Sequence, residues 1–336
     1  MTLLSTTRSP ASAPGSVAPA RTALTVASQY TAATAPGYVA ALIASGQRRT
    51  GAAAPLAAAR AASGALRETV GGAGHRPPGD WPRLAGYAAL AEAANADDDA
   101  YAGALAVQAL RSTLFDTPAG PRLGGLRPWT DDMFMPVLLL DRTAPLLPAA
   151  EQARAAQALG FALSDLTRRL QRPDGLFDHA QGSPIAWGRG NGFASLALAQ
   201  ALAGPLSHDR PAGLLAALQR HLRALLPLQG ADGAWRQVLD TAEAPLELTV
   251  TAMSLAALAV ARRHGWLPAA EVDPSITRAW QAVQRRVGDG GRFADVCAGT
   301  PAGAHVDFYL QRPITHGRDE RAAAMVLTAA IELAQA

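Results

Sequence analysis

The chain has 336 residues, of which 49% are hydrophobic, 5% aromatic and 17% charged. The 30 basic residues are all arginine, and 27 acidic residues leave a formal net charge of +3. The absence of lysine excludes a Schiff-base or P-loop mechanism. So small a net charge argues against a nucleic-acid-binding domain, because such a domain concentrates basic residues on one face.

The N-terminal segment, residues 1–25, is rich in Ser, Thr, Ala and Pro. It lacks the apolar core, roughly 7–15 residues long, of a secretory signal, so we expect a disordered tail and a cytoplasmic protein. No apolar run reaches the roughly 18 residues that span a bilayer, so we expect no membrane partner. Cys297 is the only cysteine, which excludes an intrachain disulfide and a thiolate zinc cluster.

Beyond this segment the sequence predicts helices. Alanine and leucine, which are strong helix formers, recur at helical spacing, whereas valine and isoleucine are too scarce for a large sheet. Strands should therefore be few and short, and confined to loops. The predicted helical segments are residues 149–170, 193–203, 214–226, 248–263, 275–287 and 320–335.

Turn residues interrupt this helical pattern at a regular interval. Asp116, Asp174, Asp232 and Asp289 are separated by 58, 58 and 57 residues. This period fits two helices of about 15 residues with two connections, so about five to six helix hairpins fill the chain after the tail. Repeated hairpins stack as an open solenoid or close into a ring. We favour closure, which makes residues 26–336 a single all-α catalytic domain, an (α/α)6 barrel.

An acidic pair beside a tryptophan is the first candidate site. Asp131 and Asp132 lie between Trp129 and the apolar run MFMPVLLL, which must be buried. Burying a carboxyl group is costly unless the group is paired or needed, and apolar surroundings raise its pKa toward that of a useful acid. The alternative is structural, with Thr130 or Asp131 as the N-cap of the following helix.

A glycine-rich segment is the second candidate. Residues 186–193, AWGRGNGF, place Trp187, Arg189 and Phe193 at the start of a helix. Glycines permit close approach of the backbone, and an arginine at a helix N-terminus opposes the helix dipole unless an anion meets it. The segment therefore suggests that an anionic ligand binds there.

Several other polar positions are open to two interpretations. Asp80 and Trp81 put an acid beside a ring on which a sugar can stack, or they begin a helix with an N-cap. His179 follows Asp178 in a loop, where a histidine is either structural or catalytic. The other histidines lack metal-ligand spacing, so we expect no metal and no cofactor. A polar group near the C-terminus is placed to rim a pocket: His305, Asp307, Tyr309, Arg312 and His316.

These segments resemble the unsaturated uronyl hydrolases of glycoside hydrolase family 105 and the related family 88. The resemblance covers residues 75–336 and runs through PWTDDMFM, DGLFDH, WGRGNGF, DGAWRQVLD, LELTVTAMSLAALA and FYLQRP. It implies an (α/α)6 barrel that releases a 4,5-unsaturated uronic acid from the non-reducing end of lyase-generated oligosaccharides of the pectin or rhamnogalacturonan type. In that reaction a protonated aspartic acid gives its proton to C4 of the enol ether, and water adds at C5.

The resemblance also implies roles for individual residues. Asp131 takes the position of the acid and base, and Asp80 lies near that of a second pocket aspartate. Arg189 is implied as the partner of the uronate carboxylate. The residues implied to bind or enclose the substrate are Trp81, Trp129, Asp132, His179, Trp187, Arg189 and Phe193.

The chain departs from the family pattern at three positions. Asp132 stands where a glycine is common and Phe193 where a tryptophan is usual, and the usual His-Gly element is displaced or lost at His316. Two alternatives therefore stay open: a sugar epimerase of the same fold, which would use a histidine pair, and a non-catalytic carbohydrate-binding barrel. We expect an oligosaccharide partner, no nucleic acid, and a monomer or small homo-oligomer.

Overall fold

The structure, a computed structural model, describes residues 17–31, 37–72, 74 and 76–335. Within these residues the chain forms fourteen α-helices and seven short strands. The helices are α1 (Pro19–Gln29), α2 (Gly37–Thr50), α3 (Ala53–Val70), α4 (Trp81–Leu84), α5 (Ala88–Asp97), α6 (Ala100–Arg111), α7 (Asp131–Thr143), α8 (Ala149–Leu170), α9 (Gly188–Ala203), α10 (Leu214–Leu225), α11 (Leu248–Arg263), α12 (Ala269–Arg286), α13 (Val306–Leu310) and α14 (Glu320–Ala334). The strands are β1 (Leu114–Thr117), β2 (Gly120–Leu123), β3 (Trp235–Arg236), β4 (Leu246–Glu247), β5 (Val287–Gly288), β6 (Arg292–Cys297) and β7 (Ile314–Arg318).

The strands agree with the expectation of short pieces in loops. β1 pairs with β2, β3 with β4, and β6 with both β5 and β7, all of them antiparallel. Each small sheet lies in a connection that leads into α7, α11 or α14. The sheets therefore shape loops and do not form a layer of their own.

Six helices form a closed inner ring. α2, α5, α7, α9, α11 and α14 each pack against the next in this order, and α14 packs against α2. The alternating helices α1, α3, α6, α8, α10 and α12 lie outside them, and each packs on a neighbouring inner helix. The contact between α14 and α2 closes the ring, so the predicted (α/α)6 barrel is confirmed and the open solenoid is excluded.

Inner and outer helices differ in how they are buried. In α11 every residue from Leu248 to Ala261 is buried, whereas α10 buries one face. An inner helix has protein on all sides and must be apolar all round, but an outer helix needs a single apolar face. None of the described helices combines the length and the apolarity needed to cross a membrane.

The prediction of a disordered tail over residues 1–25 is wrong from residue 19 onward. Residues 19–25 belong to α1, which buries Val26 and Ala27 among others and packs against α14 and α2. Local composition cannot reveal this, because the surface that stabilises α1 comes from the other end of the chain, and a helix this short needs such packing. Residues 1–16 lie outside the described residues.

Two of the periodic aspartates form turns of the same kind. Asp174 and Asp232 each accept, through Oδ1, a hydrogen bond from the amide two residues later, at 3.0 and 2.9 Å. Gly233 has a φ of +90°, and a Cβ at this position would collide with the backbone of Arg278. These turns are therefore structural, and they end each hairpin where the next begins.

Long connections gather at one end of the barrel. Because alternate helices of a hairpin run antiparallel, the loops that lead into inner helices all lie where those helices begin. We call this end the barrel mouth, and the end where the inner helices finish the barrel base. The long connections at the mouth are residues 112–130, 171–187, 226–247 and 287–319.

Candidate active site

The carboxyl group of Asp131 lies at the barrel mouth. Asp131 is the first residue of α7, and its side chain is 24% exposed. Its Oδ2 is 3.4 Å from Nε2 of His179, whose ring is fully buried. The Thr130 amide donates to the His179 carbonyl at 3.0 Å, which holds the histidine loop against the start of α7. Two residues predicted for the site are thus brought together.

Aromatic rings surround His179. Its ring centroid lies 4.3 Å from that of Trp187, 5.4 Å from that of Trp129 and 5.6 Å from that of Tyr309. Nε2 of His179 and Nε1 of Trp187 are buried and have no hydrogen-bond partner among the described residues. Leaving a buried polar atom unpaired costs free energy, and such an atom calls for an explanation such as a catalytic role. The predicted positions Trp129, His179 and Trp187 therefore form one cluster.

A hydroxyl cluster, made of Tyr309, Ser183 and the backbone of Gly303, lies on the Nδ1 side of His179. Nδ1 is 2.6 Å from the Tyr309 hydroxyl, which is 2.8 Å from Ser183 Oγ. The Gly303 amide donates to the Tyr309 hydroxyl at 3.0 Å, and the Ser183 hydroxyl donates to the Gly303 carbonyl. Burial raises the pKa of Tyr309. Tyr309 was predicted to rim a pocket, but it is fully buried behind the histidine.

The guanidinium of Arg189 is bound within the protein. Its Nε donates to Thr249 Oγ1 at 2.8 Å, and Nη2 lies 3.3 Å from Glu247 Oε1 and donates to the Cys297 carbonyl. Nη1 is 3.5 Å from the Ala298 carbonyl. Burial disfavours the charge of the guanidinium, but the Glu247 carboxylate raises its pKa overall. Glu247 thus supplies an anionic partner within the protein, and the binding of an anionic ligand by Arg189 stays a prediction.

The glycines beside Arg189 serve packing. A Cβ at Gly188 would collide with the carbonyl of Arg236, and one at Gly190 would collide with the hydroxyl of Thr130. The start of α9 thus fits closely against β3 and the start of α7. The close backbone approach predicted for a ligand is made to neighbouring parts of the protein.

Three residues predicted to contact substrate are buried elsewhere. Asp132 is paired with Arg127 at 2.8 Å, and burial raises the pKa of its carboxyl despite that partner. Trp81 donates from Nε1 to the Gly124 carbonyl at 3.0 Å, and Phe193 lies in the hydrophobic core. All three side chains are enclosed in the described structure, and contact of any of them with a substrate stays a prediction. For Asp132 the reason for this enclosure is helical geometry, since consecutive residues point about 100° apart.

Asp80 caps helix α4. Its Oδ1 accepts from the Arg83 amide at 3.1 Å, and its side chain is 46% exposed. The structural interpretation of Asp80 is therefore observed. Its charge also acts on Arg127, whose pKa is raised first by hydrogen bonds to Asp132 and further by Asp131 and Asp80. A catalytic role for Asp80 stays a prediction.

Two residues of the mouth were missed by the sequence analysis. Tyr38 lies at the start of α2, where burial raises its pKa to about 12, and the charges of Arg189, Asp131 and Arg321 act on it. Arg321, in the first turn of α14, pairs with Asp319 at 3.3 Å and is 32% exposed. Both residues lie near the start of an inner helix. That position indicates a place at the mouth only when the order of the helices in the ring is known.

The cluster suits acid–base chemistry on a carbohydrate. A carboxyl group in contact with an imidazole can hold and transfer a proton, and tryptophan rings offer flat apolar surfaces to a sugar. Among the described residues, no group of three or more His, Cys, Asp or Glu side chains is placed to hold a metal ion.

The sequence matches a known family and one curated relative. The family model of Glycosyl Hydrolase Family 88 matches residues 127–336. The chain is 34% identical, over 134 residues, to the unsaturated rhamnogalacturonyl hydrolase YesR of Bacillus subtilis (strain 168). That alignment covers 39% of this chain and 36% of YesR, so it spans about a third of the relative's length.

Solved structures share the fold. A possible member of family GH105 from Klebsiella pneumoniae superposes with a TM-score of 0.74 at 19% identity, covering 89% of this chain and 82% of that one. A family 105 glycoside hydrolase from C. acetobutylicum gives 0.77 at 18%, covering 94% and 99%. The unsaturated glucuronyl hydrolase of Bacillus sp. GL1, responsible for the degradation of glycosaminoglycan, gives 0.68 at 16%, covering 94% and 96%. At such identities these likenesses establish the fold.

Proposed function

The chain belongs to Glycosyl Hydrolase Family 88, and from that premise we propose that it hydrolyses lyase-generated oligosaccharides with a 4,5-unsaturated uronic acid at the non-reducing end. The carboxyl group of Asp131 carries the proposal, because it is partly exposed at the mouth, 3.4 Å from the buried His179. The name of the relative YesR, an unsaturated rhamnogalacturonyl hydrolase, supports a substrate of the pectin or rhamnogalacturonan type.

Asp131 supplies the proton in the proposed reaction. Its acid form transfers a proton to C4 of the enol ether, and positive charge develops at C5 and the ring oxygen. Water adds at C5 and returns a proton to the Asp131 carboxylate. The hemiketal then opens, the bond to the remaining saccharide breaks, and the terminal sugar leaves as a keto acid. One water is consumed, and Asp131 ends protonated as it began.

The uronate carboxylate needs a cationic partner. In this proposal Arg189 contributes Nη1, whose contact with the Ala298 carbonyl, at 3.5 Å, is the longest that its guanidinium makes. Arg321 is more exposed than Arg189, and the charges of both arginines act on Tyr38. Trp129 and Trp187 enclose the sugar ring.

The loss of ultraviolet absorbance of the C4–C5 double bond tests this function. The purified full chain is incubated with an unsaturated rhamnogalacturonan disaccharide made by a lyase, and we expect the absorbance to disappear. Asp131→Asn should lower kcat by at least about a hundredfold, because the amide has no acidic proton to transfer. Full activity in this variant would contradict the role of Asp131.

Asp116→Asn is the matched control. Asp116 lies in β1 and is 74% exposed, so the same change there should leave turnover unchanged. Thermal melting of both variants should match that of the wild type, which separates chemistry from folding. If no pectin or glycosaminoglycan product loses absorbance with the wild-type protein, the proposed function is wrong.

The two alternatives predict other outcomes. A carbohydrate-binding barrel would bind the disaccharide without turnover, and calorimetry would detect this. An epimerase would need a histidine pair, but in the described part of the chain the rings around His179 are Trp129, Trp187 and Tyr309. The observed cluster therefore favours the hydrolase.

We propose the cytoplasm as the compartment of this activity. Cys297 is free and buried, and reducing conditions keep such a thiol unmodified. Cell fractionation followed by the absorbance assay tests this, and recovery of the activity from the medium would contradict it.

A further inference from the structure

We propose that Tyr309 and Ser183 fix the position of the proton on the ring of His179 and thereby the acid form of Asp131. This rests on the proposed function, because Asp131 is the acid of that reaction. Nδ1 of His179 lies 2.6 Å from the Tyr309 hydroxyl, whereas Nε2 lies 3.4 Å from Asp131 Oδ2. A neutral imidazole carries one proton, and its position decides which nitrogen donates and which accepts.

Only one assignment of donors and acceptors gives each hydrogen bond of the hydroxyl cluster one proton. The Gly303 carbonyl has no proton, so the Ser183 hydroxyl must donate to it. Ser183 then has no proton for Tyr309, so the 2.8 Å contact between their oxygens requires the Tyr309 hydroxyl to donate. The acceptor positions of the Tyr309 oxygen are filled by the Gly303 amide at 3.0 Å and by Nδ1 of His179. Nδ1 must therefore carry a proton.

The orientation of the ring is determined by the same contact. If the imidazole of His179 were turned by half a revolution, the carbon Cδ2 would face the Tyr309 hydroxyl in place of Nδ1. A carbon atom at the observed 2.6 Å would clash with that oxygen. The ring also lies between Trp129 and Trp187, which restrict its rotation.

The neutral ring consequently presents an unprotonated Nε2 to Asp131. This atom is buried and lacks a hydrogen-bond partner among the described residues. An ionised Asp131 would face a lone pair there, whereas the acid form can donate its proton to Nε2. The acid form of Asp131 is therefore the form compatible with this ring, and its proton is the one needed at C4. Tyr309 and Ser183 act through His179 and are positioning residues.

Nitrogen-15 NMR of the substrate-free enzyme, labelled at histidine, tests the proton count. The signals of His179 are those that disappear in His179→Gln, and spectra are recorded at a pH where the ring is neutral. We expect Nδ1 to show the shift of a protonated nitrogen and Nε2 that of an unprotonated one. A neutral ring protonated at Nε2 would overturn the proposal. Since no substrate is present, this result is independent of the proposed activity.

Ser183→Ala is the most specific variant, because it leaves every direct contact of His179 in place. Without its acceptor, Tyr309 becomes free to donate to Nδ1, so the proton of the neutral ring should move to Nε2. On the unsaturated disaccharide we expect kcat to fall about tenfold, with KM changed less than about twofold, because the acid is affected and not the binding surface. Ser183→Thr, which keeps the hydroxyl, should restore both the wild-type spectrum and kcat.

Tyr309→Phe provides the second measurement if Ser183→Ala does not fold. It removes the acceptor of the Nδ1 proton, so both tautomers should appear in the spectrum. Tyr101→Phe is the control, because it removes a tyrosine hydroxyl on the outer helix α6, one that donates to the Gly71 carbonyl at 2.6 Å. The control should change neither the His179 signals nor turnover. Unchanged tautomers in both Ser183→Ala and Tyr309→Phe would overturn the proposal.

Discussion

The two ends of the barrel use charge in different ways. At the base, Arg49 and Arg263 both pair with Glu332, at 3.2 and 2.8 Å, and Arg142 pairs with Glu92 at 2.6 Å. These residues line a cavity of about 320 Å³. The arginines lie near the ends of inner helices, where a positive charge is favourable to the helix dipole. Charge at the base therefore stabilises the ring.

The mouth leaves polar atoms without partners. Asp131 approaches His179 at 3.4 Å, and Nε2 of that histidine and Nε1 of Trp187 form no hydrogen bond in the described part of the chain. The acids at the base are thus paired with arginines, whereas Asp131 at the mouth faces a histidine ring, as expected where function competes with stability.

The largest effect is expected when the ion pair of Arg189 with Glu247 is broken. This pair lies at the mouth, yet it is an arginine–glutamate pair like those at the base. Both side chains are enclosed, at 4% and 1% exposure. Removing one partner leaves the other charge buried, so Arg189→Ala should lower the free energy of unfolding by about 3–5 kcal/mol in urea denaturation. Arg321→Ala, the control at the same end, should cost less than about 1 kcal/mol. A weakened substrate affinity with unchanged stability would instead make Arg189 a binding residue alone.

The second prediction compares acids with opposite pKa shifts. At the base, burial opposes ionisation of Glu332, but Arg49 and Arg263 lower its pKa below 4.5. Its stabilising effect is therefore complete above pH 4.5 and is lost as the pH falls through the lower pKa of the folded state. At the mouth, burial raises the pKa of Asp132 above 3.8 despite Arg127. Its contribution is greatest below 3.8 and declines as the pH rises through the folded-state pKa.

Urea denaturation between about pH 3 and pH 7 measures how the free energy of unfolding changes with pH, and thus the slope that each acid contributes. Glu332→Gln should remove part of the rise in stability with pH, and Asp132→Asn should remove part of a fall. Each group contributes a slope of at most about 1.4 kcal/mol per pH unit. Slopes of the same sign for the two acids would contradict the contrast between the ends.

The smallest effect is expected at Asp80. If this residue only caps α4, Asp80→Ala should lower the free energy of unfolding by about 0.5–1 kcal/mol and leave turnover unchanged. Asp80→Asn keeps a capping oxygen and should match the wild type in stability. A loss of turnover of more than about tenfold in both variants would identify Asp80 as the second catalytic carboxyl.

Much of the fold could be predicted because its information is local. The predicted segments 149–170 and 248–263 coincide with α8 and α11, since alanine and leucine at helical spacing mark such helices directly. The predicted segment 275–287 begins after Pro274, which lies inside α12. The predicted segment 193–203 begins later than α9, whose first turn contains the glycines.

The site was less predictable because it depends on contacts distant in sequence. Asp131 stood out by local contrast with its apolar neighbours. The partner of Arg189 is Glu247, 58 positions later, and no local pattern joins them. Trp81 and Trp187 both lie beside a candidate site residue. The indole N–H of Trp81 donates to a backbone carbonyl, whereas that of Trp187 has no partner among the described residues. Whether an indole N–H finds an acceptor depends on how separate helices pack.

The closure of the ring by its first and last helices has a consequence for how the chain folds. The Tyr30 hydroxyl donates to the Gly291 carbonyl at 2.6 Å and accepts from the Asp319 amide at 3.0 Å, so these contacts join residues 261 and 289 positions apart. Bringing such distant segments together is slow, because the loop entropy is lost before the contacts form. During synthesis α1 and α2 leave the ribosome before α14, the helix that covers them, has been made. In a circularly permuted chain in which α14 directly precedes α1, the contacts between these two helices would be local in sequence and would form early.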